Sequence, residues 1–230
     1  MKKPISFIIT CPYYDSGIKS LGSKCLFTSK RKNIIEKQCY SIAKFCANTP
    51  YEIILVNSIE NYKTQKFIQK KLSHIKYLYL DCNNINYGGS FLEGLALAKY
   101  PDIVNIECGL VLSPQCLKDL DMSNTDIGIG CITHKHKQNE DIDLGCVIDN
   151  GNVLNLFFGL EHKYIGVVYI NEHTKHFIIN NFKFEDNKNK FLFEILNYCI
   201  SKGSICKASI LKNKDTHLVF NKKSLQQYIG

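Results

Sequence analysis

The sequence predicts one α/β domain spanning residues 1–230, with a mixed, mainly parallel sheet flanked by helices. Three observations carry that expectation. Through the first half, short apolar runs rich in β-branched residues alternate with stretches whose apolar residues recur at helical spacing. Through the second half, short apolar runs follow one another across turns, and Asp149-Asn150-Gly151 between two of them is a hairpin signal. No internal repeat, low-complexity stretch or linker divides the chain.

The elements follow in order. Ile5 to Cys11 is a nearly continuous apolar run and reads as a strand buried on both faces. Pro12 ends it, since proline cannot donate to a central ladder. A loop follows, and Ile34, Ile35, Cys39, Ile42, Ala43 and Cys46 then mark a helix that stops at Thr49-Pro50. Tyr51 to Val56 is a second strand, Tyr62 to Leu72 a helix, and Ile75 to Leu80 a third strand. A polar, glycine-bearing loop leads into a helix from about Ser90 to Lys99, and Ile103 to Glu107 is a fourth strand. This alternation predicts a parallel sheet with right-handed crossovers. Later strands are expected at Asp126 to Thr133, Leu144 to Ile148, Val153 to Phe158, Ile165 to Ile170, Ile205 to Leu211 and His217 to Phe220. Phe191 to Ser201 reads as an amphipathic helix with Gly203 beyond its end, and Lys222 to Tyr228 as a terminal helix.

Composition narrows the partners. The 230 residues are 45% apolar, enough for a sizeable core. The net charge of +8 is spread along the chain. The one dense group, Lys63, Lys66, Lys70, Lys71 and Lys76, reads as a solvated helix face rather than a nucleic-acid surface. A mild positive excess suits anionic small molecules such as nucleotides. Eleven cysteines include no C-x-x-C pair, and most sit in apolar runs, so buried thiols in a reducing, cytoplasmic setting are expected. The Met1-Lys2-Lys3-Pro4 start leads into the first strand, with no small-residue cleavage site of a signal peptide, and nothing is long enough to span a membrane.

The first strand's loop is the main candidate site, because open α/β sheets bind ligands at the carboxyl ends of their strands. It carries Tyr13, Asp15, Ser16, Gly17, Lys19 and Gly22, then Lys24, and its small residues would let a phosphate approach the backbone. The alternative is a polar surface loop with solvated lysines. The loop after the third strand carries Asn84 and Asn86, and Ser90 follows. Amides can read a base or sugar edge, and a helix N-terminus favours an anion; the alternative is an Asn/Gly turn with Ser90 as an N-cap. His134 and His136 sit two apart, but flanking lysines and the lack of a carboxylate in register favour a solvated turn over a metal site.

IITCPYYDSGIKSLGSKCLFTSKRKNIIEKQCYSI resembles the opening of the sugar-phosphate and choline-phosphate nucleotidyltransferases. Lys24 matches the family lysine, and Leu26, Ile34, Ile35, Glu36 and Gln38 fit the continuation. NNINYGGSFLEGLALA, DIVNIECGLVLSP, DLGCVIDNGNVLNLFFGL…YIGVVYIN, FLFEILNYCISKGSI and HLVFNKKSL resemble later family segments in the same order. The resemblance covers nearly the whole chain and implies a Rossmann-like, GT-A-type nucleotide-sugar-binding fold. It implies attack of a phosphate oxygen on the α-phosphorus of a nucleoside triphosphate, with pyrophosphate leaving and Mg²⁺ assisting, and a nucleotide or nucleotide sugar as ligand. Glu194 matches a family glutamate that would face the pocket; otherwise it is an exposed helical carboxylate.

The chain departs from the family where the chemistry resides. In the register set by Lys24, the first two loop glycines fall on Tyr13 and Asp15 and the arginine on Gly17. The two metal-holding aspartates fall on Gly109 and Phe220, neither of which offers a side-chain oxygen to a hard cation. Losing one such electrostatic contact typically costs about 10²–10³ in rate. The expectation is therefore a nucleotidyltransferase-like protein with a binding, structural or assembly role, with protein partners and no required metal. If it is active, Lys24, Lys19 and Glu107 are the catalytic candidates, with Asp15 or Glu107 as metal ligand. A second resemblance, to inverting glycosyltransferases of the related fold, would place their D-x-D on Glu107-Cys108-Gly109. The richness in Lys, Asn and Ile fits an A+T-rich genome; with a viral source, a particle component in the virion becomes an expectation.

Overall fold

In a computed structural model, residues 3–12, 23–29, 32–58, 62–80, 85–133, 143–212 and 215–219 are described. The first half runs β1 (Ile5–Cys11), a 3-10 turn at Lys24–Leu26, the short strands β2 (Thr28–Ser29) and β3 (Lys32–Asn33), α1 (Ile34–Cys46), β4 (Tyr51–Asn57), α2 (Tyr62–Lys71), β5 (Lys76–Tyr79), α3 (Tyr87–Leu97), β6 (Asp102–Glu107), β7 (Leu110–Leu112) and α4 (Pro114–Asp119). The second half runs β8 (Ile127–Thr133), β9 (Leu144–Asp149), β10 (Asn152–Phe158), β11 (His162–Ile170), α5 (Glu172–Asn181), α6 (Phe184–Asn187), α7 (Leu192–Ser201), β12 (Cys206–Ile210) and β13 (Thr216–Leu218).

Nine of these strands form one sheet in the order β5-β4-β1-β6-β11-β8-β12-β10-β9. β5, β4, β1 and β6 are parallel, as the strand–helix alternation predicts. β11 then enters antiparallel to both β6 and β8, and β12 returns parallel to β8. The far side curls until β9 also meets β11, at His162–Cys146 and Lys163–Gly145. Every residue of β1 is buried, which a parallel strand covered on both faces requires. On one face Phe7, Ile9, Val104 and Ile106 join Cys39 and Ile42 of α1, Ile68 of α2 and Leu117 of α4. On the other, Ile8, Ile54 and Ile103 meet Phe91 and Leu95 of α3, Ile178 of α5 and Ile195 of α7.

Several elements differ from the sequence reading, each for a local reason. α3 begins at Tyr87, not near Ser90, and its N-cap is Asn86, whose side chain accepts from the Tyr87 N–H at 2.9 Å. Gly88 and Gly89 belong to the helix rather than to a turn: a Cβ there would lie 2.5 and 2.4 Å from the carbonyl oxygens of Lys190 and Lys188. α4, α5, α6 and β7 lie outside the expected elements. α4 has a readable start, since Ser113 accepts from the Cys116 N–H and Pro114 follows it. The hairpin between β9 and β10 forms as expected, with positive φ at Asn150 and Gly151, and Gly203 likewise takes φ +96° after α7. The closing strand is Thr216–Leu218, and the expected terminal helix lies outside the described residues. All ten described cysteines are buried free thiols. No helix among the described residues is long and apolar enough to cross a membrane.

Candidate functional site

The carboxyl ends of β1 and β6 lie side by side, with Thr10 opposite Glu107 in parallel register. The ladder extends one step further, as the Cys108 N–H donates to the Thr10 carbonyl at 3.0 Å. Gln38 of α1 clamps the turn that follows: its Nε2 donates to the carbonyls of Glu107 at 2.9 Å and Leu110 at 2.8 Å. Ser41, one turn of helix from Gln38, holds the Leu112 carbonyl at 2.6 Å. The buried face of α1 thus fixes where β6 ends and β7 begins.

On the α1 side of this edge lies a compact group of thiols around a lysine. The Cys11 Sγ and the Cys25 Sγ each lie 3.0 Å from the Ser23 Oγ. Lys24 is only 4% exposed, and its Cδ passes 3.6 Å from the Cβ position of Gly109. Burial lowers the Lys24 pKa, while Cys108, Cys11 and Glu107 favour its charged form. The thiols of Cys108 and Cys25 hold Cys11 well below the ordinary thiol range, against the effect of burial. Burial pushes Cys108 up, and the contact with Cys11 pushes Cys25 up.

The α3 side is different in kind. Glu107 lies along Gly166, where a Cβ would meet its side chain at 3.0 Å; Gly166 has φ +87° and sits where the register of β11 shifts. The missing side chain and the bulge together make room for the carboxylate. Burial raises the Glu107 pKa to about 7, with the Lys24 cation and the nearby Tyr164 hydroxyl pulling the other way. Around it are polar atoms with no hydrogen-bond partner: Thr10 Oγ1, Ser90 Oγ and both amide atoms of Asn105. Thr10, Asn105 and Glu107 share this face by strand alternation. Ser90 lies one helical turn before Gly94, which packs on Ile8. Orphaned buried polar atoms are uncommon, and several together mark a place for water or a polar ligand.

The residues do not fit a magnesium ion held in the family manner. Gly109 brings no oxygen side chain, and a Cβ there would lie 2.6 Å from the Val219 carbonyl oxygen. That carbonyl is fixed by the closing strand: β13 pairs antiparallel with β7, and the Val219 N–H donates to the Gly109 carbonyl at 2.9 Å. Among the described residues, no group of three His, Cys, Asp or Glu side chains is disposed to hold a metal.

The structure brings Lys24 and Glu107 together at one sheet edge, where the charge of each acts on the other, and sets Ser90 over the same edge. Asn86 caps α3, and its N–H donates to the Lys188 carbonyl at 2.9 Å, while the Gly88 N–H donates to Lys190 at 3.0 Å. Those amides are engaged by chain carbonyls. Glu194 is exposed and accepts from the Phe191 N–H at 2.7 Å, a helix-capping contact. Tyr13, Asp15, Ser16, Gly17, Lys19, Asn84, His134, His136 and Phe220 lie outside the described residues. The sequence reading passed over Ser23, Cys25, Tyr164, Gly166 and Val219. Only Gly166 carries a signal, as a glycine interrupting an apolar strand.

No family model matches the chain, and no curated protein sequence matches it. Solved structures do. The inositol-1-phosphate CTP transferase from T. maritima superposes with a TM-score of 0.75 at 11% identity, covering 97% of this chain and 93% of that one. The nucleoside-diphosphate-sugar pyrophosphorylase from Vibrio cholerae RC9 gives 0.72 at 12%, covering 98% and 99%. The CTP:phosphocholine cytidylyltransferase from Streptococcus pneumoniae gives 0.70 at 14%, covering 98% and 97%. The fold of this chain is that of the sugar-phosphate and choline-phosphate nucleotidyltransferases.

Proposed function

We propose that the chain is a nucleotidyltransferase-like protein that no longer carries out metal-dependent nucleotidyl transfer and serves in binding or assembly. One observation carries this reading: the Val219 carbonyl occupies the direction in which a metal-holding side chain at position 109 would extend. Phosphoryl chemistry depends on positioned metal and cation charge. Here the family lysine is buried among thiols instead of facing solvent. The ligand would be a nucleotide or nucleotide sugar held over the strand ends. Tyr13, Asp15, Ser16, Gly17, Asn84, Asn86 and Ser90 are the contacts this reading assigns. Protein partners would use the rest of the surface, in a cytoplasmic setting or, for a viral source, in the particle.

Calorimetric titration with CTP, UTP, ATP and GTP, with and without Mg²⁺, tests the reading. The expected result is affinity that magnesium does not strengthen, and no release of pyrophosphate with any sugar phosphate or with phosphocholine. Magnesium-dependent pyrophosphate release would overturn it. A second reading, an active transferase with substituted ligands, draws on Glu107, whose carboxylate is raised to about 7 and interacts with Lys24. It requires turnover that Glu107→Gln and Lys24→Ala each abolish. A glycosyltransferase would instead bind a nucleotide sugar in clear preference to the free triphosphate.

A further inference from the structure

Along the outer surface of α1, where it packs beside β7, lies a groove of about 350 Å³. That is at the small end of the range for small-molecule sites. Val111 and Leu112 of β7 give it an apolar wall, and Lys32, Lys37 and Tyr40 border it. The wall is fixed, since Ser41 holds the Leu112 carbonyl and β7 pairs with β13. α1 covers one face of the sheet, whereas Thr10, Asn105 and Glu107 alternate onto the α3 face. The groove and the strand-end site are therefore separate places.

Tyr40 is the unusual member of this group. α1 sends Ile35, Cys39, Ile42 and Cys46 into the core. Lys37, Tyr40 and Lys44 recur at the spacing of three and four that puts them together on its outer face. Tyr40 is 53% exposed, and two ammonium groups approach its ring: the Lys32 Nζ lies 5.4 Å from the centroid and the Lys44 Nζ 5.8 Å. Lys99 over Tyr100 and Lys202 over Tyr198 are single contacts of the same kind. A ring attracts a cation through its quadrupole but, unlike a carboxylate, leaves its charge uncancelled. No residue lining the groove is acidic. Among the described residues, neither Lys32 nor Lys44 forms an ion pair. The nearby carboxylates are engaged: Glu36 accepts from the Asn33 N–H at 2.7 Å, and Asp119 from Gln115 at 2.6 Å. Like charges are thus gathered with no counter-charge, which an anion would supply. The two charges of a phosphate monoester match several ammonium groups better than the single charge of a carboxylate.

We propose that this groove binds a small phosphate monoester, its phosphate taken by Lys32, Lys37 and Lys44 and its apolar body resting against Tyr40 and Val111. Lys32, Tyr40 and Lys44 are exposed, so a ligand reaches them directly from solvent. The site does not depend on the nucleotide reading above.

The test is titration of the ¹⁵N-labelled full chain at neutral pH with phenyl phosphate and, in parallel, with benzoate and the uncharged benzyl alcohol, read by amide shifts. The expected result is saturable shifts at Lys37, Tyr40 and Leu112, with phenyl phosphate bound at least tenfold tighter than benzyl alcohol and at least threefold tighter than benzoate. Added salt should weaken the phosphate and leave the alcohol unchanged. Lys32→Gln, Lys44→Gln and Tyr40→Leu should each weaken phenyl phosphate at least threefold, and Lys202→Gln, at a single lysine–tyrosine contact elsewhere, should leave it unchanged. These side chains lie at the surface, so the variants read binding rather than folding. Benzyl alcohol or benzoate binding as tightly as phenyl phosphate, an equal loss with Lys202→Gln, shifts confined to Thr10, Ser90 and Glu107, or no saturable shift would each overturn the proposal.

Discussion

The four parallel strands and the five that continue the sheet solve the burial problem differently. In the parallel part, helices cover both faces, and Phe7, Ile8, Ile9, Ile54 and Leu55 are fully buried. In the curled part, β10 shows only Val153 and Leu156 to the core and leaves Leu154, Phe157 and Phe158 more than one-third exposed. Phe158 forms edge contacts with Phe157, Phe191 and Phe193, with ring centroids 5.8, 6.5 and 5.5 Å away. The first arrangement ties each side chain to partners above and below and holds the strand ends in fixed register. The second leaves an aromatic surface that tolerates change. The candidate site lies at the seam, where Glu107 of β6 meets Gly166 of β11.

The comparison can be broken most directly in the core. Phe7→Ala should cost about 3–5 kcal/mol, the usual range for emptying a packed aromatic site. Urea unfolding measures this, and a loss under about 1 kcal/mol would mean that the parallel part is not the rigid one. At the seam, burial raises the Glu107 pKa to about 7 in the fold. Below about pH 4.5 the group is protonated in both the folded and unfolded states. As pH climbs to about 7 the unfolded chain releases its proton first, so Glu107 removes stability over that window and the loss levels off above it. Glu107→Gln should abolish a decline of about 3 kcal/mol between pH 4.5 and 8, read as the difference between the two proteins' pH–stability curves. Curves of equal slope would show that the carboxylate is better solvated than its burial implies.

A smaller effect is expected under α3. Gly94→Ala puts a methyl 2.4 Å from the Ile8 Cγ2 and so forces helix and strand apart. Overpacking of this kind costs about 1–3 kcal/mol, partly offset by the roughly 1 kcal/mol that alanine gains over glycine in a helix. A net loss of about 1 kcal/mol in thermal or chemical unfolding is the expected result, and a stabilised variant would show that the interface gives way freely. The smallest effect belongs to the curled part: Phe157→Ser, at a side chain 56% exposed, should stay within about 0.5 kcal/mol. A loss as large as that of Phe7→Ala would erase the distinction between the two regions.

The same contrast decided what could be read from residues alone. Buried parallel strands announce themselves: β1 has the bounds its apolar run marks, and β4 extends one residue beyond Val56. The Asn150-Gly151 turn was legible because its positive φ values suit those residue types. α5 was hidden by its composition, since Glu172 to Asn181 bury only Thr174, Lys175 and Ile178. Its cap was in plain sight, as Asn171 accepts from the Thr174 N–H at 2.9 Å. The start of α3 was misplaced because Gly88 and Gly89 look like a turn, and only the Lys188–Lys190 backbone lying over them explains why a helix there needs glycine. In the candidate site, Lys24 and Glu107 could be nominated from order along the chain. That Lys24 is buried, that Gly166 makes space for Glu107, and that Val219 lies across Gly109 are contacts between segments far apart in sequence, with no local trace.

That last contact also limits what protein engineering could install here. An aspartate introduced at position 109 would bring its first side-chain carbon 2.6 Å from a main-chain oxygen held next to the β13–β7 pairing. A main-chain atom cannot be removed by substituting its own residue. Placing a carboxylate at this spot therefore takes two coordinated changes, one at the position itself and one that shifts the closing strand.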